Sequence, residues 1–280
     1  MAKLIVTHLR PDLDACASVW LIRRFYPNFT QAEFSFVPSG DTYQNQPADS
    51  DKQIIHVDTG LGRFDHHQFR RRLSASLRIY QYLEEEVKWR TLDQIVLERM
   101  VELVTMIDNF EEVDFDNPTS DIYELQINQI LEGIKLNESS DHQVMELMLP
   151  VLDGLFAILK RKVMAETELE KGEEFKIGQF KAIYLRSRSK EVSKLAEKGG
   201  YQLVLLKDPE RGNVNIRVHP RAKFTLDHVY QVIIKKEPDD LWFYHASGHL
   251  LLNGSNSHPQ KPTKLTVKEL ITIIKKNLLK

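Results

Sequence analysis

The residues able to do chemistry fall in two short runs: His8, Asp12 and Asp14 in THLRPDLDA, then Asp58 and Asp65-His66-His67 in HVDTGLGRFDHHQ. Carboxylates and imidazoles packed this closely repel one another and lose hydration. Either their pKa values climb or divalent cations settle among them, and the second outcome makes a hydrolytic centre. A carboxylate has two oxygens, so Asp58, placed centrally, can bridge two cations about 3.5 to 4 Å apart, the separation used by two-metal hydrolases. Such a pair acidifies a shared water and binds oxygens of a scissile phosphate, which predicts hydrolysis by in-line attack. Taken singly the residues have plainer roles, His8 as a strand-end histidine and Asp12 or Asp14 as a helix cap.

The elements that must position these groups are legible in outline. Lys3 to Thr7 reads as a short buried strand and Ala15 to Phe25 as a helix with Val19, Trp20 and Ile22 on its apolar face. Gln53 to Asp58 reads as a second strand, with loop chemistry in SGDTYQNQPADSD between the two. Pro11 biases Arg10 to an extended conformation. In an extended segment Asp12 and Asp14, two apart, face the same space, and Asp14 is also placed to cap the helix. If the two strands are parallel neighbours, His8 and Asp58 reach the same carboxyl edge, where α/β proteins bind ligands. Thr59-Gly60 then permits the turn that returns Asp65, His66 and His67 to that edge.

Helical patterns follow at Ser74 to Glu86 and Thr91 to Ile107, then from Leu125 to Thr167 with a break at Asn137 to Asp141. Pro150 is expected to bend or divide the last of these. After KGEEF come a strand Phe175 to Arg186, a helix Lys190 to Lys198, strands Tyr201 to Leu206 and Val214 to His219, a helix Leu226 to Lys236, strands around Phe243 and Leu251, and a helix Val267 to Asn277. The fold class is α/β, with a mostly parallel sheet flanked by helices in the first domain. The expected organisation is a metal-binding domain at 1–130, a helical connector at 131–172 and a smaller α/β domain at 173–280.

HLRPDLDACAS, VDTG and FDHHQ resemble, in matching order, the first three motifs of the DHH phosphoesterase superfamily, which includes RecJ-type exonucleases, manganese pyrophosphatases and enzymes acting on short oligonucleotides. Asp108 in TMIDNF matches the fourth motif. The resemblance implies that His8, Asp12 and Asp58 hold one Mn²⁺ and that Asp14, Asp58, His66 and Asp108 hold the other. It further implies that His67 meets the substrate phosphate while Asp65 orients the histidines. FDHHQ with a following IDN is also similar to the melanocyte-proliferating-gene-1-like exonuclease branch, although this chain keeps a PD-D spelling from which that branch usually departs. Members of the superfamily carry a Gly-Gly-His segment in the smaller domain; the nearest match is HASGHLLLNGS, where Gly248 would let backbone approach an anion and His249 would bond a phosphate or base. A hairpin turn whose histidine faces water is the alternative.

Arg217, His219 and Arg221 alternate and would place three donors on one side of a strand, as a phosphate-binding edge or an ordinary solvent face. Arg70 to Arg72 could guide an anion or form a solvated run. Trp242, Phe243 and Tyr244 could stack a base, with at least one of them in the core.

Lys plus Arg at 38 against Asp plus Glu at 40 gives a net charge of −2, which disfavours an extended duplex-binding surface and favours a short anionic ligand. The single cysteine, Cys16, excludes an intramolecular disulfide and a thiolate zinc cage, fits a reducing compartment and reads as a buried space-filler. The opening apolar run is too short for a signal peptide and no stretch approaches 18 apolar residues, so a cytoplasmic protein without a membrane segment is expected.

The reading is a two-domain phosphodiesterase with two Mn²⁺ ions, Mg²⁺ or Co²⁺ as substitutes, that trims short single-stranded oligonucleotides. The alternatives are hydrolysis of a small phosphate compound such as pyrophosphate or a dinucleotide, and a non-catalytic module binding metal or nucleotide. Oligomeric state is open, a homodimer included.

Overall fold

The computed structural model describes residues 3–138, 140–254 and 258–280. Ser139, in the expected break at 137–141, and Ser255, the last residue of HASGHLLLNGS, lie outside the described residues. The chain divides into two compact units, residues 1–160 and 161–280.

The first unit is built on a three-stranded parallel sheet in the order β2-β1-β3, with β1 at Leu4–His8, β2 at Glu33–Val37 and β3 at Ile54–His56. Ile5 and Val6 of β1 are fully buried, as the central position in the sheet requires. The helix α1, Leu13–Phe25, connects β1 to β2, and because both strands run the same way it must cross over the sheet. β2 was not expected from the sequence. EFSFV is only five residues long and buries Phe34 and Val37, which are three apart, so it lacks the alternation that marks a half-buried strand.

Four further helices stand around α1. α2, Ala75–Glu86, begins at the cap Ser74, whose hydroxyl accepts from the Leu77 amide. α3, Thr91–Asp108, buries Val96, Leu97, Met100, Val101 and Val104 at helical spacing. α4 spans Ile127–Asn137 and α5 Asp141–Leu169. Of the bend or division expected at Pro150, the division does not occur: α5 runs through the proline as one helix. Just past the proline, the Phe156 ring lies 5.7 Å from that of Trp20 and Asp153 accepts from Trp20 Nε1 at 3.0 Å, contacts that oppose the loss of the hydrogen bond a proline removes. Among the described residues α5 is the one helix long and apolar enough, by length and composition alone, to cross a membrane. Within the first unit its Met145, Met148, Leu152 and Phe156 form a buried stripe.

The second unit is a six-stranded mixed sheet, β4-β5-β6-β7-β9-β8, with β4 at Glu173–Ile177, β5 at Phe180–Arg186, β6 at Leu203–Lys207, β7 at Val214–Val218, β8 at Phe243–Tyr244 and β9 at Leu250–Leu252. Only β5 and β6 are parallel. The single strand expected at Phe175 to Arg186 is a hairpin, because Gly178 at φ 57° reverses the chain and pairs Ile177 with Phe180. One face of the sheet packs on α7, Asp227–Ile233, and α8, Val267–Asn277; the other takes Ala165 and Leu169 of α5 and α6, Lys190–Lys198.

Gly60 shapes the loop after β3. It sits at φ 77°, and a Cβ there would lie 2.8 Å from Thr42 Cγ2. Gly60→Ala should therefore lower unfolding stability by about 1–3 kcal/mol, read from the denaturant midpoint, with an unchanged midpoint counting against this account.

Candidate metal centre

His8 closes β1 and Asp58 follows β3 by one residue beyond Val57, and the parallel pairing of the two strands brings both side chains to the carboxyl edge. Asp58 adopts φ 55°, a left-handed conformation that aspartate tolerates better than most residues. Its amide donates to the Phe64 carbonyl at 2.9 Å and so closes the loop that carries Asp65 to His67.

The Asp58 carboxylate is 2% exposed and its two oxygens face different partners. Oδ2 lies 3.2 Å from His8 Nε2, and Oδ1 lies 3.3 Å from His66 Nε2. On the first side, His8 Nε2 is 3.8 Å from Asp12 Oδ2. His8 Nδ1 is 2.9 Å from the Leu9 carbonyl, which can only accept, so Nδ1 carries the proton and a neutral ring turns the Nε2 lone pair toward the carboxylates. On the second side, His66 Nε2 is 3.5 Å from Asp108 Oδ2 and 3.9 Å from Asp14 Oδ2. Ligand atoms of His8, Asp12 and Asp58 lie within 4.8 Å of one another, as do those of Asp14, His66 and Asp108, and those of Asp58, His66 and His67.

Asp12 and Asp14 reach these positions by a route the sequence did not suggest. Arg10, expected to be extended before Pro11, sits instead at φ 53°. α1 begins at Leu13, so the two aspartates are not on one extended stretch: Asp12 is the extended N-cap, accepting from the Ala15 amide at 2.9 Å, and Asp14 is already in the first helical turn. The cap is therefore Asp12. Asp14, 1% exposed, accepts instead from the Ala75 amide at 2.6 Å and the Ser76 amide at 2.9 Å, the positive end of α2. Its oxygens each keep a second lone pair for a cation. The pair thereby serves opposite sides of Asp58.

Asp65 orients His67. Its Oδ1 accepts from His67 Nδ1 at 2.7 Å and from the His67 amide at 3.1 Å, and its Oδ2 accepts from the Leu61 amide at 2.7 Å. Burial raises the Asp65 pKa, but these bonds outweigh it and hold the carboxyl below its usual range. The fixed tautomer leaves His67 Nε2 outward on a side chain that is 59% exposed.

The remaining electrostatics follow from crowding. Burial lowers the His8 pKa, yet hydrogen bonds and charge from Asp12 and Asp58 carry it up to about 11. Burial likewise opposes His66, which Asp58, Asp108 and Asp14 raise to about 9. Burial, with the Asp58 charge, pushes Asp108 up to about 6 and Asp14 well above the carboxylate range. Asp58 Oδ1, His66 Nε2 and Asp108 Oδ2 are all buried without a hydrogen-bond partner among the described residues. An unpaired buried polar group costs about 1–3 kcal/mol. Converging lone pairs of this kind are what a cation satisfies, and two dications balance the four carboxylates of Asp12, Asp14, Asp58 and Asp108. The donor set fits.

Lys135 on α4 was missed by sequence reasoning. Its ammonium, on a side chain 9% exposed, reaches the Pro11 carbonyl at 3.5 Å and Glu132 at 2.6 Å. Burial raises the Asp12 pKa, whereas bonds from His8 and the Ala15 amide, with the charges of His8 and Lys135, bring it below the usual value. The only signal in the sequence was the Glu132–Lys135 spacing on a helix. From α5, Asp141 accepts from the Arg10 amide at 3.0 Å and braces the same loop. Arg72 is committed to Glu102 and Glu111, while Arg70 and Arg71 are exposed.

In the second unit the expected donor edge is not formed. β7 ends at Val218, so His219 and Arg221 lie in the following turn, where His219 Nδ1 accepts from the Arg221 amide at 3.1 Å. Arg217, on β7, pairs with Glu197 at 3.0 Å. Gly248 and His249 fall in the β8–β9 hairpin, with Gly248 at φ 74° and a Cβ there 2.8 Å from Thr225 Cγ2. Trp242 is core, donating to Glu237 at 3.0 Å; Tyr244 stacks on Tyr230, and Phe243 is exposed.

The family described as ChrB, C-terminal domain, matches residues 5–159, more than half of the 280-residue chain and nearly all of the first unit. The chain belongs to the ChrB C-terminal domain family. That family is a different one from the DHH phosphoesterases which the motifs resemble, and the match places every candidate metal ligand inside the ChrB C-terminal domain. No curated protein matches the chain. Among solved structures, RecJ in complex with Mg²⁺ from Thermus thermophilus is similar over 98% of this chain and 49% of RecJ, at 13% identity and a TM-score of 0.32. The chain thus spans about half the length of that protein, and a likeness so slight decides neither fold nor function.

Protons and cations compete for the same atoms. In the cation-free protein the stability contributed by raised His8 and His66 is complete below the unfolded histidine pKa of about 6.5 and is lost as pH rises through about 9 and about 11. Cation binding runs the other way, since the ligands must be deprotonated. The rise in Tm produced by Mn²⁺ should grow between about pH 6 and about pH 8 in thermal melts; a rise that shrinks with pH contradicts the assignment.

Proposed function

We propose that residues 1–160 form a two-cation phosphoesterase that hydrolyses short single-stranded oligonucleotides from an end, with Mn²⁺ as the resident ion and Mg²⁺ or Co²⁺ as substitutes. The observation that carries this reading is the Asp58 carboxylate, buried with one oxygen toward His8 and Asp12 and the other toward His66, Asp14 and Asp108. Oxygen donors with two imidazoles suit Mn²⁺ and leave no thiolate to select a softer ion.

When bound, a cation pair supplies neutralisation of the scissile phosphate and draws the pKa of an attacking water toward neutrality. His8, Asp12, Asp58, Asp14, His66 and Asp108 hold that charge in place. Asp65 fixes the His67 ring so that Nε2 faces outward, where it would bond a phosphate oxygen of the substrate. Single-strand, short substrates are favoured by the net charge of −2. A reducing, cytoplasmic setting fits the lone buried thiol of Cys16.

Arg72 favours a second reading, since its two carboxylate partners neutralise a cation that would otherwise track a strand backbone. On that reading the substrate is a small phosphate compound, pyrophosphate or a dinucleotide.

The test is turnover by purified protein with Mn²⁺ on a bis-aryl phosphodiester, a short labelled RNA and pyrophosphate. Cleavage of the first two supports the main reading, phosphate release from pyrophosphate alone supports the second, and stoichiometric metal with no turnover on any of them would leave a binding module. Asp58→Ala should remove metal pairing and activity together. His67→Ala should lower kcat by about 10²-fold or more while metal content stays at the wild-type level, and a variant that instead loses its metal would contradict the outward role.

A further inference from the structure

The second unit carries a cavity remote in the chain from the metal ligands. β7 sends Val214, Ile216 and Val218 into the core shared with α7 and α8, so Asn215 and Arg217 fall on the opposite face, with Leu206 of β6 and Leu250 and Leu252 of β9. α6 covers part of this face, and the rest forms a cavity of about 870 Å³, within the size range of small-molecule sites. It reaches Gly254, beyond the end of β9, whereas Gly248 and His249 precede the start of that strand. The two features are at opposite ends of the strand.

Separate observations give this cavity a ligand chemistry. Ser189 caps α6 without a side-chain bond to the helix's first amides, which leaves the positive end of a nine-residue helix at the cavity wall. Ser193, 1% exposed and on the same wall, has a buried hydroxyl with no hydrogen-bond partner among the described residues. A helical serine usually returns its hydroxyl to the carbonyl four residues back, so this one is a spare donor facing the cavity. Lys190 adds an ammonium at the first helical position, and Arg217 is held against Glu197 at the edge. The carboxylate in the wall, Asp208, already accepts from the Glu210 and Arg211 amides at 2.8 and 2.9 Å. Asn215 Oδ1, also without a partner among the described residues, is an acceptor, and half-buried Leu250 and Leu252 offer an apolar floor.

A donor-rich end, an acceptor and an apolar floor describe a phosphate joined to a flat group bearing hydroxyl or amino hydrogens. We propose that this cavity binds a nucleoside monophosphate, its phosphate on the α6 amides, Lys190 and the Ser193 hydroxyl, and its nucleoside over Leu250 and Leu252 with a hydrogen bond to Asn215 Oδ1. The site shares no residue with the metal centre and does not depend on what that centre hydrolyses.

Calorimetric titration of the full chain in EDTA with AMP, adenosine and inorganic phosphate tests this, since chelation removes cation-dependent binding at the first unit. AMP should saturate one site and bind tighter than either fragment. Lys190→Glu should weaken AMP at least tenfold without lowering Tm, because an acidic residue in a helix's first turn favours the helix while it repels the phosphate. Ser193→Ala should weaken it several-fold, and Asp58→Ala should leave it unchanged. No saturable binding of AMP, wild-type affinity in both Lys190→Glu and Ser193→Ala, or loss of binding in Asp58→Ala would each overturn the proposal; phosphate binding as tightly as AMP would overturn its nucleoside part.

Discussion

One carboxylate organises the first unit. Asp58 is buried between two imidazoles and within reach of further carboxylates, and neither of its oxygens has a neutral partner to spare. Without cations this arrangement holds only by retaining protons, which is why His8 and His66 are driven up despite burial that opposes them. With cations the same crowding becomes a ligand set. The surroundings are arranged to keep the cluster from relaxing apart.

That restraint comes from backbone as much as from side chains. The parallel pairing of β1 and β3 aims His8 and Asp58 at one edge. Asp14 is tied to the first amides of α2, and the cap of that helix, Ser74, bonds Thr105 on α3 at 2.8 Å, so α1, α2 and α3 meet through short polar contacts beneath the site. Asn109, just past Asp108, donates to the Leu73 carbonyl at 2.9 Å and locates the end of α3. Lys135 and Asp141 brace the loop between His8 and Asp12 from α4 and α5. Candidate ligands from four separate segments are thus held by contacts that need no cation.

The two units differ in how they build a site. The first follows the parallel-sheet rule, with its candidate ligands gathered at the carboxyl ends of strands. The second is mostly antiparallel, and its hairpins put Gly248 and His249 in a turn that packs on Thr225. On its open sheet face beside α6, the Ser193 hydroxyl and Asn215 Oδ1 lack partners among the described residues.

Much of this was legible in the chain itself. The candidate ligand types, their order, the strand-helix-strand frame around them and the tight turn at Gly60 follow from local chemistry, because side-chain identity, backbone restriction and helical periodicity are properties of neighbours in sequence. The α3, α6 and α8 patterns were clear for the same reason. Other features were settled only by tertiary packing. β2 needed β1 to define it, Pro150 sits inside a helix that packs on Trp20 through Phe156, and the arginine at 217 became a partner of Glu197. The division of labour between Asp12 and Asp14, one capping its own helix and the other the helix that starts at Ala75, depends on α2 lying beside α1. The part played by Lys135 was equally hidden, because it depends on α4 reaching the loop at Pro11: a charge acts through space, and nothing within its own stretch of sequence records which distant carboxylate it will meet.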